Sequence, residues 1–539
     1  MEDTTQRRGY LFATCMIALI ATSGGFIVRA MLLEDVWQGM FNLSETEKGQ
    51  IFGAGLWPFA ISIVLFSLVI DKIGYKTAMW FAVVCHIIQA FMLMTPGASF
   101  VPEEWRGYWW LWVGSFVGAL GNGTIEAVIN PVIATVYSKA KTKWLTILHA
   151  GWPGGLVLGG LLALWTKETD IAWQWQVAVI LLPVVIYAFM LFAASFPVNE
   201  RVAAGIPYMT MLRQAGVIGA FIVIGLILLE LGRVFKWEPG STQFWIIVLV
   251  MIYGFGIGGA LGRGLFIILL FLMIPLATVE LGTDSWIKAL MGPVMQQFEL
   301  DGIWVLIYTA TIMMVMRIFV IGPLTKIWSP VAILALSSCF AAFGIYLLGS
   351  VEAAALILIT ATIYGIGQAF FWPCTLGLVS EQFPEGGALT INSIAGVGML
   401  GVGIIGGPLL GNLQDTRINN SLSSNEAIYS TFMAEEAKDS VFGEYRSLNQ
   451  DAVNAVSDRI DALQDRQMDT PDGFSDAEVT ELALLGSQKE KLDGLTADAK
   501  AEALRFAALP AVVMAFCYLL IIFWFRDKGG YKPKEIGGE

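Results

Sequence analysis

The sequence predicts an all-α membrane protein with fourteen spans: two six-helix halves, a two-helix hairpin inserted between them, and a helical insert before the last span. Three observations carry that prediction. Hydrophobic residues make up 56% of the 539 and charged residues only 14%, with a mean hydropathy of +0.68. A soluble domain cannot bury that much apolar surface while exposing so little charge. Apolar windows long enough to cross a bilayer recur at 10–33, 49–70, 77–95, 108–136, 145–165 and 176–196, and again at 215–235, 243–261, 264–291, 302–322, 331–349, 353–379, 388–411 and 506–525. The third observation is an internal echo. Asn130-Pro131 and Trp372-Pro373 each fall late in a span and are each followed by a short polar loop and a Gly-rich run, His149–Gly160 and Asn392–Gly407.

In chain order, Arg7 and Arg8 precede an apolar run too long for a signal-peptide core, so Tyr10–Leu33 is read as the first span. Residues 1–198 form the first six-helix half. Residues 199–262 hold a polar linker and the inserted hairpin, and 263–411 the first five helices of the second half. Residues 412–505 are an acidic insert, and 506–539 the last span with its basic tail. The entry to the second span, Phe41–Gln50, is echoed weakly by Phe298–Trp304, with Ser44 and Asp301 as N-caps. Lysines and arginines concentrate on one set of loops (Arg7, Arg8, Lys72, Lys76, Lys139, Lys141, Lys143 and the tail from Arg526), which makes both termini cytoplasmic. A plasma membrane, the inner membrane of a bacterium, is the expected location. Tryptophans near predicted ends, Trp105, Trp109 and Trp237 among them, fit an aromatic belt.

The net charge of −12 is local in origin. Between Asn412 and Arg505 there are 19 acids against 9 bases. Helical spacing around Val453–Leu463 and Val479–Leu485, with breaks at Pro471–Gly473 and Gly494, predicts two or three helices on the extracellular or periplasmic side. A solvated extension is the expectation for it; a docking site for an unknown extracellular partner is the alternative. The five cysteines sit in apolar runs without a CxxC pair and read as packing residues, neither disulfides nor metal ligands. No basic patch points to nucleic acid. No GxxxxGK[ST] loop occurs, so any energy for movement must come from a gradient. Neither cofactor nor metal is expected, and enzymatic chemistry is not.

The stretch 120–131 stands out. Asn122, Glu126 and Asn130 are four apart and share one helix face inside an apolar run. A charged group in hydrocarbon costs at least ~3 kcal/mol, so such a residue normally faces a bundle interior or a watery path. Glu126 is the candidate proton or substrate site; a buried ion pair is the competing reading. Asn122 and Asn130 serve either as donors to solute hydroxyls or as helix glue.

Ser67-Leu-Val-Ile-Asp71-Lys72-Ile-Gly74-Tyr75-Lys76, after the second span, resembles the signature loop of the major facilitator superfamily, with Ser67 where that loop usually has glycine. There Asp71 ends a helix, and Lys72 and Lys76 anchor to anionic head groups. Within the superfamily the chain resembles the fucose/glucose/galactose:proton symporter branch through Glu126, Asn130 and Pro131 (Glu-x-x-x-Asn-Pro), Lys72, Tyr75 and Lys76, Arg317, and Trp286. The resemblance covers everything except the hairpin and the acidic insert. It implies the major facilitator fold and proton-coupled sugar import by alternating access, with Glu126 taking part in proton coupling. One departure is the first span, where the branch carries an acid and this chain reads Val28-Arg29-Ala30-Met31. Arg29 is therefore expected either to pair with Glu126 or to bind an anionic substrate. The hairpin resembles that of proton-coupled peptide transporters and fourteen-helix drug exporters.

Further candidates follow from polar residues in apolar runs. His149 is a proton relay or a packing histidine, and His86 is expected to be structural, without polar company. Glu280, Asp284 and Lys288 are four apart and predict a self-paired ladder that lines the path. Arg317 belongs to an inner gate or an ion pair. Glu230 is expected near the outer surface, without a mechanistic role. Trp57, Trp152, Trp286 and Trp372 lie within spans and either offer flat faces for a sugar ring or pack at kinks, since Trp152 and Trp372 each precede a proline. The expectation is thus a secondary transporter of a small polar solute, a sugar before a peptide, nucleoside or drug, coupled to protons and embedded in lipid. A transporter-like sensor acting through the acidic insert is the reading from another class.

Overall fold

The computed structural model describes residues 2–43, 45–169, 171–284, 291, 295, 298–351, 353–423, 425–434, 437–440, 443–469 and 474–536. Predicted N-cap Ser44, the substrate candidate Trp286, Lys288 and the Pro471–Gly473 break lie outside them. The first half comprises α1 (Arg7–Met40), α2 (Glu47–Ile73), α3 (Tyr75–Met94), α4 (Tyr108–Val136), α5 (Ser138–Glu168) and α6 (Gln174–Ala193). The hairpin is α7 (Tyr208–Val234) and the shorter apolar α8 (Gly240–Gly256). The second half begins with α9 (Gly264–Gly282), α10 (Ile303–Ile327), α11 (Pro330–Leu348), α12 (Ala355–Gln382) and α13 (Pro384–Leu422). Next comes the insert, with α14 (Glu426–Phe432), the two-stranded ribbon β1 (Lys438–Ser440) and β2 (Gly443–Tyr445), α15 (Gln450–Asp469) and α16 (Asp476–Phe506). The last helix is α17 (Ala508–Asp527). Among the described residues thirteen helices are long and apolar enough to span a membrane, and α8, at Gly240–Gly256, falls short of that length.

Both ends of the chain lie on one face, here the terminal face. Tyr10 reaches the Met190 carbonyl at the end of α6, and Tyr531 reaches Glu381 at the end of α12. Within the first half α1 packs on α5 and α6, and α4 on α2 and α3; within the second, α11 packs on α12 and α17, and α9 on α13. The halves meet along α2 against α13 and α5 against α10, which occupy corresponding places in the two halves, and on the terminal face α5 also meets α12.

Several breaks in these helices have chemical causes. Gly74 ends α2 at φ +83°, where its N–H closes on the Ile70 carbonyl; a side chain is disfavoured there. Earlier in α2, hydrogen bonds tighten to three-residue spacing at Gly55 and Leu56, just before Trp57-Pro58. With the Gly55 N–H turned to the Phe52 carbonyl, the Ile51 carbonyl is left for another donor. At the base of the hairpin Gly216 (φ +69°) and Gly262 (φ +101°) touch backbone to backbone; a Cβ on Gly216 would stand 2.1 Å from the Gly262 nitrogen. Val217 N–H to Ala260 O, 2.9 Å, and Arg263 N–H to Gln214 O, 3.1 Å, fasten the two strands of chain there.

The insert has its own small core, Ile418, Leu422, Ile428 and Phe432 against Leu492 and Ala499. It is an outgrowth of two spans, since α13 runs on to Leu422 and α16 leads through Ala507 into α17. Ser475 and Glu478 form a reciprocal capping box at the start of α16, and the Ser475 donors hold the Glu478 carboxyl below its ordinary range.

Candidate functional site

Midway through the bundle five buried polar side chains converge. On α4, the Asn130 amide donates to Glu126 Oε2 at 2.7 Å, the i,i+4 pairing their spacing predicts. His149 Nε2 lies 2.9 Å from Asn130 Oδ1 and 4.0 Å from Glu126 Oε2. The three form a chain, imidazole to amide to carboxylate, and all are buried. On the second half, Arg317 donates to Glu280 Oε1 at 2.7 Å, to the Ala369 carbonyl at 2.6 Å and, across the interface, to the His149 carbonyl at 2.8 Å. Glu280 Oε2 accepts the backbone N–H of Trp372 at 3.1 Å. Both members of this ion pair sit in widened π-type turns, Thr278–Gly282 and Met316–Val320. Such turns recur at functional sites, because the extra residue re-aims a side chain without ending the helix.

Glu126, His149, Glu280, Arg317, Trp152 and Trp372 line one small chamber of about 20 Å3. Trp152, Leu281 and Met399 also line a larger cavity, of about 340 Å3, between the halves. Its walls include Phe26, Phe52, Trp57 and Trp152, and its charged side chains among the described residues are Glu34, Glu230, Asp284 and Arg233. Asp284 accepts from Gln368 at 3.3 Å and from Tyr364 at 3.4 Å.

On the terminal face the halves are shut. Lys141 bonds Glu200 at 2.6 Å and the Ser380 carbonyl at 3.3 Å. Thr142 gives both its N–H (3.1 Å) and its hydroxyl (2.6 Å) to Glu381 Oε1. Glu381 Oε2 accepts the Tyr531 hydroxyl at 2.6 Å, while Lys534 N–H closes on the Glu381 carbonyl at 2.8 Å. Burial, then the Glu381 charge, push the Tyr531 phenol up, so it stays a donor. Deeper in, Asn392 donates to the Ala127 carbonyl at 3.0 Å across the interface. On the opposite face the halves touch along α5 and α10, where Lys167 pairs with Asp301 at 3.2 Å.

Several expectations are corrected. Arg29 does not pair with Glu126. It is buried, donates to the carbonyls of Ile51 (3.0 Å) and Phe52 (3.3 Å), and lies over the rings of Phe26 and Phe52; the broken turn before Trp57-Pro58 supplies those carbonyls. Asn122 turns from the cavity to His86, 2.8 Å away, whose other nitrogen lies 3.2 Å from the Tyr187 hydroxyl. His86 thus has the polar company the sequence did not reveal. Glu280 spends its charge on Arg317 instead of a ladder with its neighbours, and of the two readings for Arg317, inner gate or ion pair, the structure shows the ion pair. Asp71 is held by Arg201, while Lys76 caps carbonyls at the end of α6 where a lipid contact was expected; Lys72 is exposed. Glu230, expected at the surface, is buried in the cavity wall. The sequence reading missed it and Glu381, although Glu230 sits in as apolar a run as Glu126 does.

Two six-helix halves around a shared polar centre, shut on one face and hollow toward the other, define a membrane carrier. The chain belongs to the Major Facilitator Superfamily, whose sequence model matches residues 11–408, a family of transporters and not of enzymes. Among curated proteins it is 26% identical over 137 residues to a gentisate transporter of Corynebacterium glutamicum, covering 25% of this chain and 29% of that one. It is 26% identical over 194 residues to a cis,cis-muconate transport protein of Acinetobacter baylyi, covering 36% and 44%. The chain thus aligns with less than half the length of these relatives. Among solved structures, the proton:xylose symporter XylE bound to 6-bromo-6-deoxy-D-glucose superposes with a TM-score of 0.56 at 14% identity, over 75% of this chain and 88% of that one. A bacterial homologue of the human drug peptide transporters PepT1 and PepT2 gives 0.56 at 14% identity, over 97% and 99%. These two likenesses speak to fold alone.

Proposed function

We propose that the protein moves a small, ring-bearing polar solute, a sugar in the first instance, across a plasma membrane by alternating access coupled to protons. The terminal face, with its basic loops, is taken as cytoplasmic, so the cavity opens outward. The observation that carries the reading is the cavity itself. About 340 Å3 suits a solute of monosaccharide size, four aromatic side chains give it flat walls, and its base adjoins the Glu126–Asn130–His149 chain. Protonating Glu126 removes a charge held by an uncharged amide donor, with no buried cation stranded. Protonating Glu280 would leave Arg317 buried without its counter-ion, so Glu126 is the proton carrier of the pair.

The relatives named for gentisate and muconate raise the case of an organic acid. Against it, among the described residues the charged side chains lining the cavity are three carboxylates and one guanidinium, a set that disfavours anions. A neutral or cationic solute is favoured, and a cationic peptide or drug is the second reading that this lining supports. Uptake of labelled monosaccharides in cells lacking their own importers tests the sugar assignment. Accumulation that collapses with the proton gradient is the expected result; no uptake of any monosaccharide would sink it.

A further inference from the structure

The inserted hairpin contributes to the cavity. Helix α7 packs along α13 and α9, and the Phe235 ring, just beyond its end, meets the Trp57 ring of α2 edge-on at 6.1 Å. The hairpin therefore reaches both halves, beside the α2–α13 seam. Its two side chains in the cavity wall are Glu230 and Arg233. The pair is two-pronged, with Arg233 Nε 3.0 Å from Glu230 Oε2 and the second contact 2.5 Å long. The partners are unequal: the Glu230 side chain is 4% exposed and that of Arg233 63%. The base of the hairpin is fixed by the Gly216–Gly262 contact, and near its far end Gly232 lets Thr242 of α8 approach, a Cβ there standing 2.5 Å from the Thr242 hydroxyl. The carboxylate is thus held on a fastened element, while its cation sits where water competes for it.

We infer that the hairpin forms part of the solute pathway: the Glu230 carboxylate accepts a hydrogen-bond donor of the solute, a hydroxyl or an ammonium, in exchange for Arg233. A carboxylate that merely glued α7 to its neighbours would face a packed surface, whereas this one faces the cavity between the halves. An ion pair with one highly exposed partner is worth little, so exchanging that partner for a solute donor costs little. A buried carboxylate left without any donor costs far more. Arg233 therefore keeps the empty cavity from holding an unpaired charge.

The inference rests on the carrier reading above, and two measurements separate their failures. The first needs no solute. Glu230→Cys in the full chain, in sealed vesicles, is expected to react with a membrane-impermeant thiol reagent above the level of the unsubstituted protein, as Glu34→Cys in the same wall does. Reaction at residue 34 alone overturns the hairpin's role and leaves the cavity standing; reaction at neither overturns the cavity and both readings with it. The second measurement is transport of labelled D-glucose with D-glucosamine as competitor. Glu230→Gln is expected to raise KM about tenfold, the loss of one charge-assisted hydrogen bond, with maximal rate kept. A greater loss for glucosamine than for glucose assigns the donor as ammonium, and an equal loss as hydroxyl. An unchanged KM for both, or a fall in maximal rate alone, overturns the inference.

Discussion

The two halves bring a carboxylate to the same small chamber but hold it by different means. Glu126 lies on an unbroken stretch of α4 and is satisfied by an amide, with an imidazole 4.0 Å away. Glu280 lies in a π-type turn and is tied to a guanidinium that also grips the opposite half through the His149 carbonyl. One arrangement survives the arrival of a proton and the other does not. On the function proposed above, the two halves divide the labour: the first holds the group that changes charge, and the second a charge pair that fastens the halves together.

The strongest way to break this comparison is Glu280→Gln. It strands Arg317 in the core, at a cost of about 3–5 kcal/mol. Thermal unfolding of the purified variant is expected to fall well below that of the parent, and both exchange and net uptake are expected to fail. An unfolding temperature equal to the parent's would refute the fixed-pair role. Glu126→Gln tests the other side. Exchange across the membrane should persist while accumulation against a gradient drops to equilibration, with stability changed by only ~1 kcal/mol; a variant that still concentrates solute makes Glu126 a packing residue. Tyr531→Phe is subtler. The Glu381 carboxylate keeps Thr142 but loses the Tyr531 hydroxyl, while Lys534 N–H still holds the Glu381 carbonyl; reagent access from the terminal face should rise by a few-fold, read as labelling of a cysteine placed at Ser380. No rise means that the tail is only laid against the gate. Smallest of all is Arg29→Ala, for which the pH profile of transport should match the parent's, because Arg29 bonds carbonyls and not Glu126. A shifted profile would restore the pairing that the sequence invited.

What was legible in the sequence follows the reach of local rules. Apolar windows mark the spans, and the i,i+4 rule places Asn130 on Glu126. The same rule misled at Glu280 and Asp284, because a π-type turn abandons the 3.6 period on which it depends. Arg317 finds Glu280 from 37 residues away, a meeting that packing decides and spacing cannot. Arg29 invited a carboxylate because arginine in hydrocarbon needs a partner; its partners are backbone carbonyls, which no side-chain pattern advertises. Glu230 could have been found by treating every intramembrane acid alike. Its position in the hairpin suggests the outer surface, and a buried carboxylate in the cavity wall contradicts that expectation.

From Asp476 to Asp527 the chain is 52 residues long, α16 and α17 joined at a turn at Ala507, with a contour of about 78 Å at the α-helical rise. One end is embedded in the acidic insert. The other leads within a few residues to Tyr531 and its bond to Glu381, the carboxylate that Thr142 also holds. The insert and the Tyr531–Glu381 latch are thus tied to opposite ends of one stretch of helical chain.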